Sequence, residues 1–448
     1  MSDDEADPEL LELLRQSLGI GRAAKSGPAL DTKVLASAQH VFDNSIDVAL
    51  DPFRTKAAAE TIWQLMQKKR YSTKKWAEHE LHPQTKDEST VDFIFTMDLL
   101  NFSFWSDETD ESKQFAIEYR GKRWKGYWSL VAALQRALDE GNEGSNIFLR
   151  DMKLRLSEIP ITSSDFWQNE DECTDEVLRH VFRSATDEEI PMFKERVDCL
   201  RDAGKILYDK YRCSFTTCIE EANCSAAVLV NLLADNFPCF SDKMRFEGRE
   251  VRFYKRAQIL VADLWACFRG KSYGKFHDID KLTMFADYRI PQMLHTLGCL
   301  LYSPPLETHI RQRKVLPSGH KWETELRGTS IWCIELIRRE IEKQHAKMAR
   351  PGTYAELTPQ AITASGSAVA SGSVSVRGAG GEEDVGDDEK KQLLEKGDGE
   401  DDEEEEDEAY PLGVNAVLID FLLYDTIKEM EGEGKETIPH HRTRSIWY

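Results

Sequence analysis

The chain has 448 residues, with 80 acidic against 58 basic side chains and a net charge of −22 at pH 7. Segment 351–411 holds 18 of the acids and 4 of the bases, so it carries −14 and leaves −8 for the rest. That balance argues against duplex DNA or RNA as a bulk ligand, and no apolar run reaches the roughly 18 residues of a membrane span.

In chain order, residues 1–30 read as a disordered tail with one short amphipathic piece, Glu9 to Leu18. Its acidic opening, Met1-Ser2-Asp3-Asp4-Glu5, lacks the basic and apolar regions of a signal or transit peptide. Apolar residues three and four apart predict helices over 55–68 (Ala58, Ile62, Trp63, Met66) and 126–138 (Leu130, Val131, Leu134). The same spacing returns at 226–234, 256–268, 292–301 and 329–342. Strand-like alternation is confined to short pieces, Gln114–Tyr119 before Gly121 and a candidate hairpin over Met244–Tyr254 around Gly248. The expected class is mainly α with a few short β-hairpins.

Segment 351–411 opens with Ala, Ser, Gly and Val and turns to acidic low complexity, Gly399–Glu408, which favours solvation over packing. A helical face resumes at Val414, Val417, Leu418, Phe421, Leu422, Tyr424 and Ile427. The expected organisation is therefore one discontinuous domain, 31–350 with 412–448, interrupted by a disordered insert at 351–411.

None of the nine cysteines forms a CxxC pair, and most have apolar neighbours, so they read as reduced thiols. This points to the cytoplasm, with the nucleus as the alternative. Metal-binding HxxEH, glycine-rich phosphate loops, GxSxG elbows and CxxC motifs are absent from the sequence.

Carboxylates inside apolar patterns carry the most information, because a buried charge is costly unless it is paired or used. Asp420 and Asp425 sit in Val417-Leu418-Ile419-Asp420-Phe421-Leu422-Leu423-Tyr424-Asp425. Five residues apart, they splay by about 140° on a helix and border one pocket only if the helix enters end-on or starts irregularly. The alternative is a pair of capping or salt-bridged acids. Phe240 and Asp242, past the helix-to-loop junction at Pro238, offer an aromatic face beside a carboxylate, which suits a flat nitrogen heterocycle. The alternative there is a core Phe and a solvated Asp. Asp287 and Arg289, just before Pro291, read as an ion pair fixing the start of a helix, with catalysis as the alternative. The strip Leu99-Leu100-Asn101-Phe102-Ser103-Phe104-Trp105-Ser106-Asp107 reads as core with one or two rings facing a pocket.

Taken together, several ordered blocks resemble the queuosine salvage protein family, the queuosine 5′-phosphate N-glycosidases. They are Asn101-Phe102-Ser103-Phe104-Trp105, Phe253-Tyr254-Lys255-Arg256-Ala257-Gln258, and Phe285-Ala286-Asp287-Tyr288-Arg289-Ile290-Pro291-Gln292. Leu316-Pro317-Ser318-Gly319, Glu325-Leu326-Arg327-Gly328 with Ser330-Ile331-Trp332, and His440-His441-Arg442-Thr443-Arg444-Ser445-Ile446 follow. The resemblance runs from about residue 35 to the end, with 351–411 as an addition.

It implies a helical fold akin to helix-hairpin-helix DNA glycosylases, no metal or organic cofactor, and release of queuine from queuosine 5′-phosphate. It also implies a small-molecule nucleotide as partner, with neither stable nucleic-acid binding nor a membrane. The family's base pocket carries over to Phe240, Asp242, Asp420 and Phe421, its catalytic carboxylate to Asp425, and a further pocket residue to Asp47. Phe421 stands where a tyrosine is expected, which keeps stacking and loses a phenol hydrogen bond; at Asp47 a histidine is expected.

Cleaving an N-ribosidic bond builds positive charge on the ribose, which a carboxylate beneath the anomeric carbon stabilises or attacks. A 7-deazaguanine has no N7 to protonate, so its departure relies on hydrogen bonds to the base edge and to the cationic aminomethyl arm. Ionised Asp242 and Asp420 can accept those donors. A 5′-phosphate needs a basic contact, for which Lys255, Arg256, Arg289 and His277 are candidates. The rival expectations are a DNA or RNA glycosylase on the same fold, which needs a basic groove, and a catalytically silent nucleotide-binding or scaffold protein with the acidic insert as its partner-binding element.

Overall fold

Capping residues set where the principal helices begin in the computed structural model, which describes residues 31–142, 147–149, 154–156, 159–345 and 414–448. Asp51 starts the helix Pro52–Lys69 by accepting from the N–H groups of Phe53 and Arg54, with Pro52 in the first turn. Asp87 caps Glu88–Leu99, Ser225 caps Ala226–Asn236 and Asn415 caps Ala416–Gly432 in the same way. We label the long helices α1 (Val34–Asn44), α2 (Pro52–Lys69), α3 (Glu88–Leu99), α4 (Tyr127–Asn142), α5 (Phe193–Tyr211) and α6 (Ala226–Asn236). They continue as α7 (Lys255–Cys267), α8 (Arg289–Thr296), α9 (Lys321–Gln344) and α10 (Ala416–Gly432), with shorter helical turns between. The expectations for residues 1–30 and 351–411 lie outside the described residues.

The fold is mainly α, and its strands form antiparallel pairs. The hairpin expected around Gly248 is Lys243–Phe246 against Arg249–Arg252, turning at Glu247 and Gly248, both with positive φ. Ile117–Tyr119 pairs with Lys122–Trp124. Val48–Leu50 pairs with the distant Leu300–Tyr302. That last strand corrects the helix expected over 292–301. Helix α8 stops at Thr296 because Gly298 takes φ +75° and closes a Schellman motif: Cys299 N–H reaches the Leu294 carbonyl and Gly298 N–H that of His295, both at 2.9 Å. Apolar residues continue past the stop, now in a strand, so spacing alone reads through it.

Helix α9 is the hub, packing on α1, α2, α8 and α10. A Cβ built on Gly328 would lie 2.5 Å from the Cβ of Val41, so only glycine lets α9 cross α1 this closely. The described residues of 31–345 and 414–448 fall in one compact unit, with α10 seated against α8 and α9. Among the described residues no helix is long and apolar enough to cross a membrane.

Candidate active site

A cavity of about 970 Å³ opens where α10, the start of α8, the start of α7, and the loops at 71–82, 101–105 and 434–448 meet. Helix α10 gives it Asp420, Phe421, Tyr424, Asp425, Lys428 and Glu431. At 100° per residue these positions fill an arc of about 140° bounded by Asp420 and Asp425. The helix is regular and does not enter end-on; the cavity wraps far enough around it to touch both acids.

The acids are held differently. Asp420, buried, accepts the N–H of Phe285 at 3.0 Å. Burial, and then the nearby Asp287 charge, push its pKa well above the usual carboxylate range. Asp287 accepts from the N–H groups of Arg289 (2.8 Å) and Ile290 (3.0 Å) at the N-terminus of α8. Burial raises its pKa too, but the Lys255 ammonium and those two N–H groups pull the other way. Asp425 takes a 2.5 Å hydrogen bond from the Tyr71 hydroxyl, which opposes the upward push of burial.

Lys255 is the cation among these acids. Burial lowers its pKa, while Asp287, Asp98 and Asp420 raise it. Behind it lie Asp98 and Asp263, both buried; burial pushes Asp98 up to about 7 and Asp263 well above its ordinary value. Asn101 donates to Asp98 at 3.0 Å, and Asn101 and Asp263 both reach the cavity wall.

Rings line much of the remaining surface. Phe285 and Phe421 stand 5.8 Å apart at 52°. On the opposite loops Trp76 stacks on His82 at 3.8 Å, and His82 bonds the Trp76 carbonyl through Nδ1 and the Tyr127 hydroxyl through Nε2. A nitrogen facing a carbonyl must donate, so Nδ1 carries the proton and Nε2 accepts. Burial holds the His82 pKa down to about 3, which keeps that ring neutral.

Of the residues singled out from sequence, Asp420, Phe421 and Asp425 share the cavity with Asp287, Arg289 and Lys255. Phe240, Asp242 and Asp47 are placed elsewhere. Phe240 is 1% exposed and packs among Phe95, Phe237 and the Arg256 guanidinium. Asp242 is buried in a two-pronged ion pair with Arg327 (3.0 and 2.6 Å), not solvated. Asp47 accepts from the Ser303 hydroxyl at 2.6 Å beside the Val48–Leu50 strand. Arg256 spends its guanidinium on the carbonyls of Leu99 and Cys239, and His277 also lies outside the cavity lining. The expected Asp287–Arg289 ion pair is replaced: Asp287 caps through Arg289's backbone, and the guanidinium pairs with Glu431.

Asp242 nevertheless bears on the cavity. Arg327 donates through Nε to the Ala286 carbonyl at 2.8 Å, so the pair grips the chain between Phe285 and Asp287. From sequence Phe285 carries no role, and Asp287 reads first as an ion-pair partner with catalysis only as the alternative. The available signal was a carboxylate in an apolar run just ahead of a helix start.

A helical scaffold that encloses a cavity of stacked rings and buried acids defines a class: a binder or enzyme for a small, flat, hydrogen-bonding ligand. The chain belongs to the queuosine salvage protein family, whose profile matches residues 81–448. It is 42% identical over 318 residues to the queuosine 5′-phosphate N-glycosylase/hydrolase of Schizosaccharomyces pombe, covering 70% of this chain and 87% of that one. The Mus musculus protein of the same name is 36% identical over 94% of this chain and 100% of its own. The Sphaerobacter thermophilus one is 37% identical over 58% and 73%.

Proposed function

We propose that this protein hydrolyses the N-glycosidic bond of queuosine 5′-phosphate and releases queuine for salvage into tRNA modification. One observation carries the mechanism: beside the rings of Phe285 and Phe421, burial raises the pKa of both neighbouring acids, at Asp420 well above the ordinary range with the Asp287 charge adding to the push, whereas at the half-buried Asp287 the Lys255 ammonium and two backbone N–H groups pull back. Of the two, Asp420 takes the proton. It can then give a hydrogen bond to an acceptor on the departing base, which offsets the missing N7. Asp287 is the better placed of the two to carry the negative charge, because two backbone N–H groups and Lys255 support that charge against burial, and we assign it the place facing the electron-poor ribose. Asp425, the carboxylate the resemblance assigns to catalysis, is tied up by Tyr71 on one oxygen and is the second candidate for that place. Its free oxygen suits the donors of the base or its ammonium arm.

Purified protein incubated with queuosine 5′-phosphate is expected to release queuine, read by mass spectrometry; no release ends this reading. The acid pair also predicts a bell-shaped pH profile of kcat/KM. Activity falls as acid protonates Asp287 and falls again as base removes the raised proton of Asp420, the two limbs belonging to the pair as a whole. Asp420→Asn, which cannot lose that proton, is expected to flatten the alkaline limb; an unchanged profile would deny Asp420 the role.

We further propose that 31–350 and 412–448 form one discontinuous domain akin to helix-hairpin-helix glycosylases, supported by α10 supplying one wall of the cavity. Free, mostly buried cysteines support the cytoplasm as its place of work. A glycosylase acting on polymeric DNA or RNA is the less favoured reading, given the body's −8 charge.

A further inference from the structure

Most cations on the cavity wall are already neutralised. Lys75 pairs with Glu78, Arg289 and Lys428 with Glu431, and Lys435 with Glu433. Lys255 sits among carboxylates, as described above. Lys125 is bonded to the Glu111 carbonyl. Arg313 and Arg442 differ: both line the cavity, and among the described residues neither guanidinium has a hydrogen bond or a salt bridge.

The chain brings these two together. Val315 bridges Arg442, and the Leu316 N–H donates to the Arg442 carbonyl at 2.7 Å. Arg442 lies 5.3 Å from the centre of the Trp105 ring, which Arg444 also covers at 3.5 Å. Asp107, the carboxylate at this rim, is bonded to Arg444 at 3.1 Å. Three guanidinium groups thus crowd one acid, and burial together with Arg313 and Arg444 holds the Arg442 pKa below its ordinary value. Like charges held together in an acidic protein repel, so the arrangement is best satisfied by an incoming anion of about two charges.

We infer that Arg313 and Arg442 form the subsite for the 5′-phosphate of the nucleotide. A phosphomonoester near neutral pH carries close to two negative charges and three acceptor oxygens, and guanidinium forks match it with paired N–H donors. The route from the reacting centre is continuous: Tyr288 follows Asp287, its ring lies 4.6 Å from that of His440, and His440 and Arg442 both face the cavity from one extended stretch. A ribose above Asp287 would therefore point its 5′ arm along Tyr288 and His440 to the two arginines. The inference rests on the proposed reaction for the identity of the ligand but not for the anion site itself.

Two readouts test it on the full chain. Calorimetric titration with inorganic phosphate is expected to show binding to wild type and at least about tenfold weaker binding to Arg313→Gln/Arg442→Gln. Equal binding, or none to wild type, overturns the subsite. With queuosine 5′-phosphate, the double variant should raise KM at least about tenfold while kcat changes less than about threefold; an unchanged KM likewise overturns it. Arg313 is exposed, so Arg313→Gln alone keeps the fold and should give part of the KM effect. Should wild type release no queuine, the proposed reaction fails while the phosphate titration still decides the anion site.

Discussion

Asp287→Asn is expected to lower kcat for queuine release about a thousandfold while leaving the fold standing. Asparagine keeps an oxygen where Asp287 accepts from the N–H groups of Arg289 and Ile290, so the start of α8 retains its cap. What disappears is a negative charge. Two consequences follow from the cluster around it. Asp420 loses the neighbouring charge that helps raise its pKa, so the alkaline limb of the pH profile should move to lower pH. Lys255 loses the largest electrostatic influence opposing its burial, so its pKa should fall further. Asp425→Asn is the comparison that assigns the catalytic carboxylate. If Asp287 faces the ribose, Asp425→Asn acts mainly through KM, because its oxygens serve Tyr71 and the base. A thousandfold loss in kcat for Asp425→Asn, with Asp287→Asn near wild type, would give the role to Asp425. Circular dichroism on both variants separates lost chemistry from lost structure.

Of the three Phe-x-Asp steps in the sequence (Phe276-His277-Asp278 is the third), two have a small residue in the middle and look alike, Phe240-Ser241-Asp242 and Phe285-Ala286-Asp287. Each puts a ring two residues before an acid, at the edge of a helix. Which of them faces the cavity is set by partners far away in sequence: Arg327, 85 residues from Asp242, neutralises that one inside the core, while Lys255 and the start of α8 hold the other at the cavity. No local pattern carries that information. The helices α4, α6 and α7 were legible because a continuous apolar stripe faces the core in each. The end of α8 was not, because Gly298 interrupts the helix without interrupting the apolar run. Asp420, Phe421 and Asp425 were legible as a group, but their placement depended on how widely the cavity wraps α10, a property of the elements packed against it. The two free arginines fall in the same category. Arg442 lies in a quoted family block and Arg313 close before another; only the bridge between their segments makes them neighbours.

The second large effect is on stability. Asp242→Ala is expected to cost about 3–5 kcal/mol, because it leaves the Arg327 guanidinium charged and buried without its acid. Arg327 is fully enclosed, its pKa held up chiefly by Asp242 against burial, with the rings of Phe253 and Tyr448 4.4 Å away. The substitution also removes the acceptor of the Lys255 N–H at the start of α7. Denaturant unfolding of the Asp242→Ala and Arg327→Met single variants and of the double variant measures the coupling. The double variant should lose less than the sum of the singles, since an apolar pair needs no counter-charge. A loss under about 1 kcal/mol for Asp242→Ala would mean that the pair is not buried as described. The same variants settle the role of Asp242 in the reaction. A base-pocket acid would raise KM with stability intact. An acid that acts through Arg327 on the Ala286 carbonyl should instead lower stability and, through displaced Phe285 and Asp287, lower kcat. Asp242→Asn, which keeps the shape and an oxygen for Arg327, should restore more of both than Asp242→Ala.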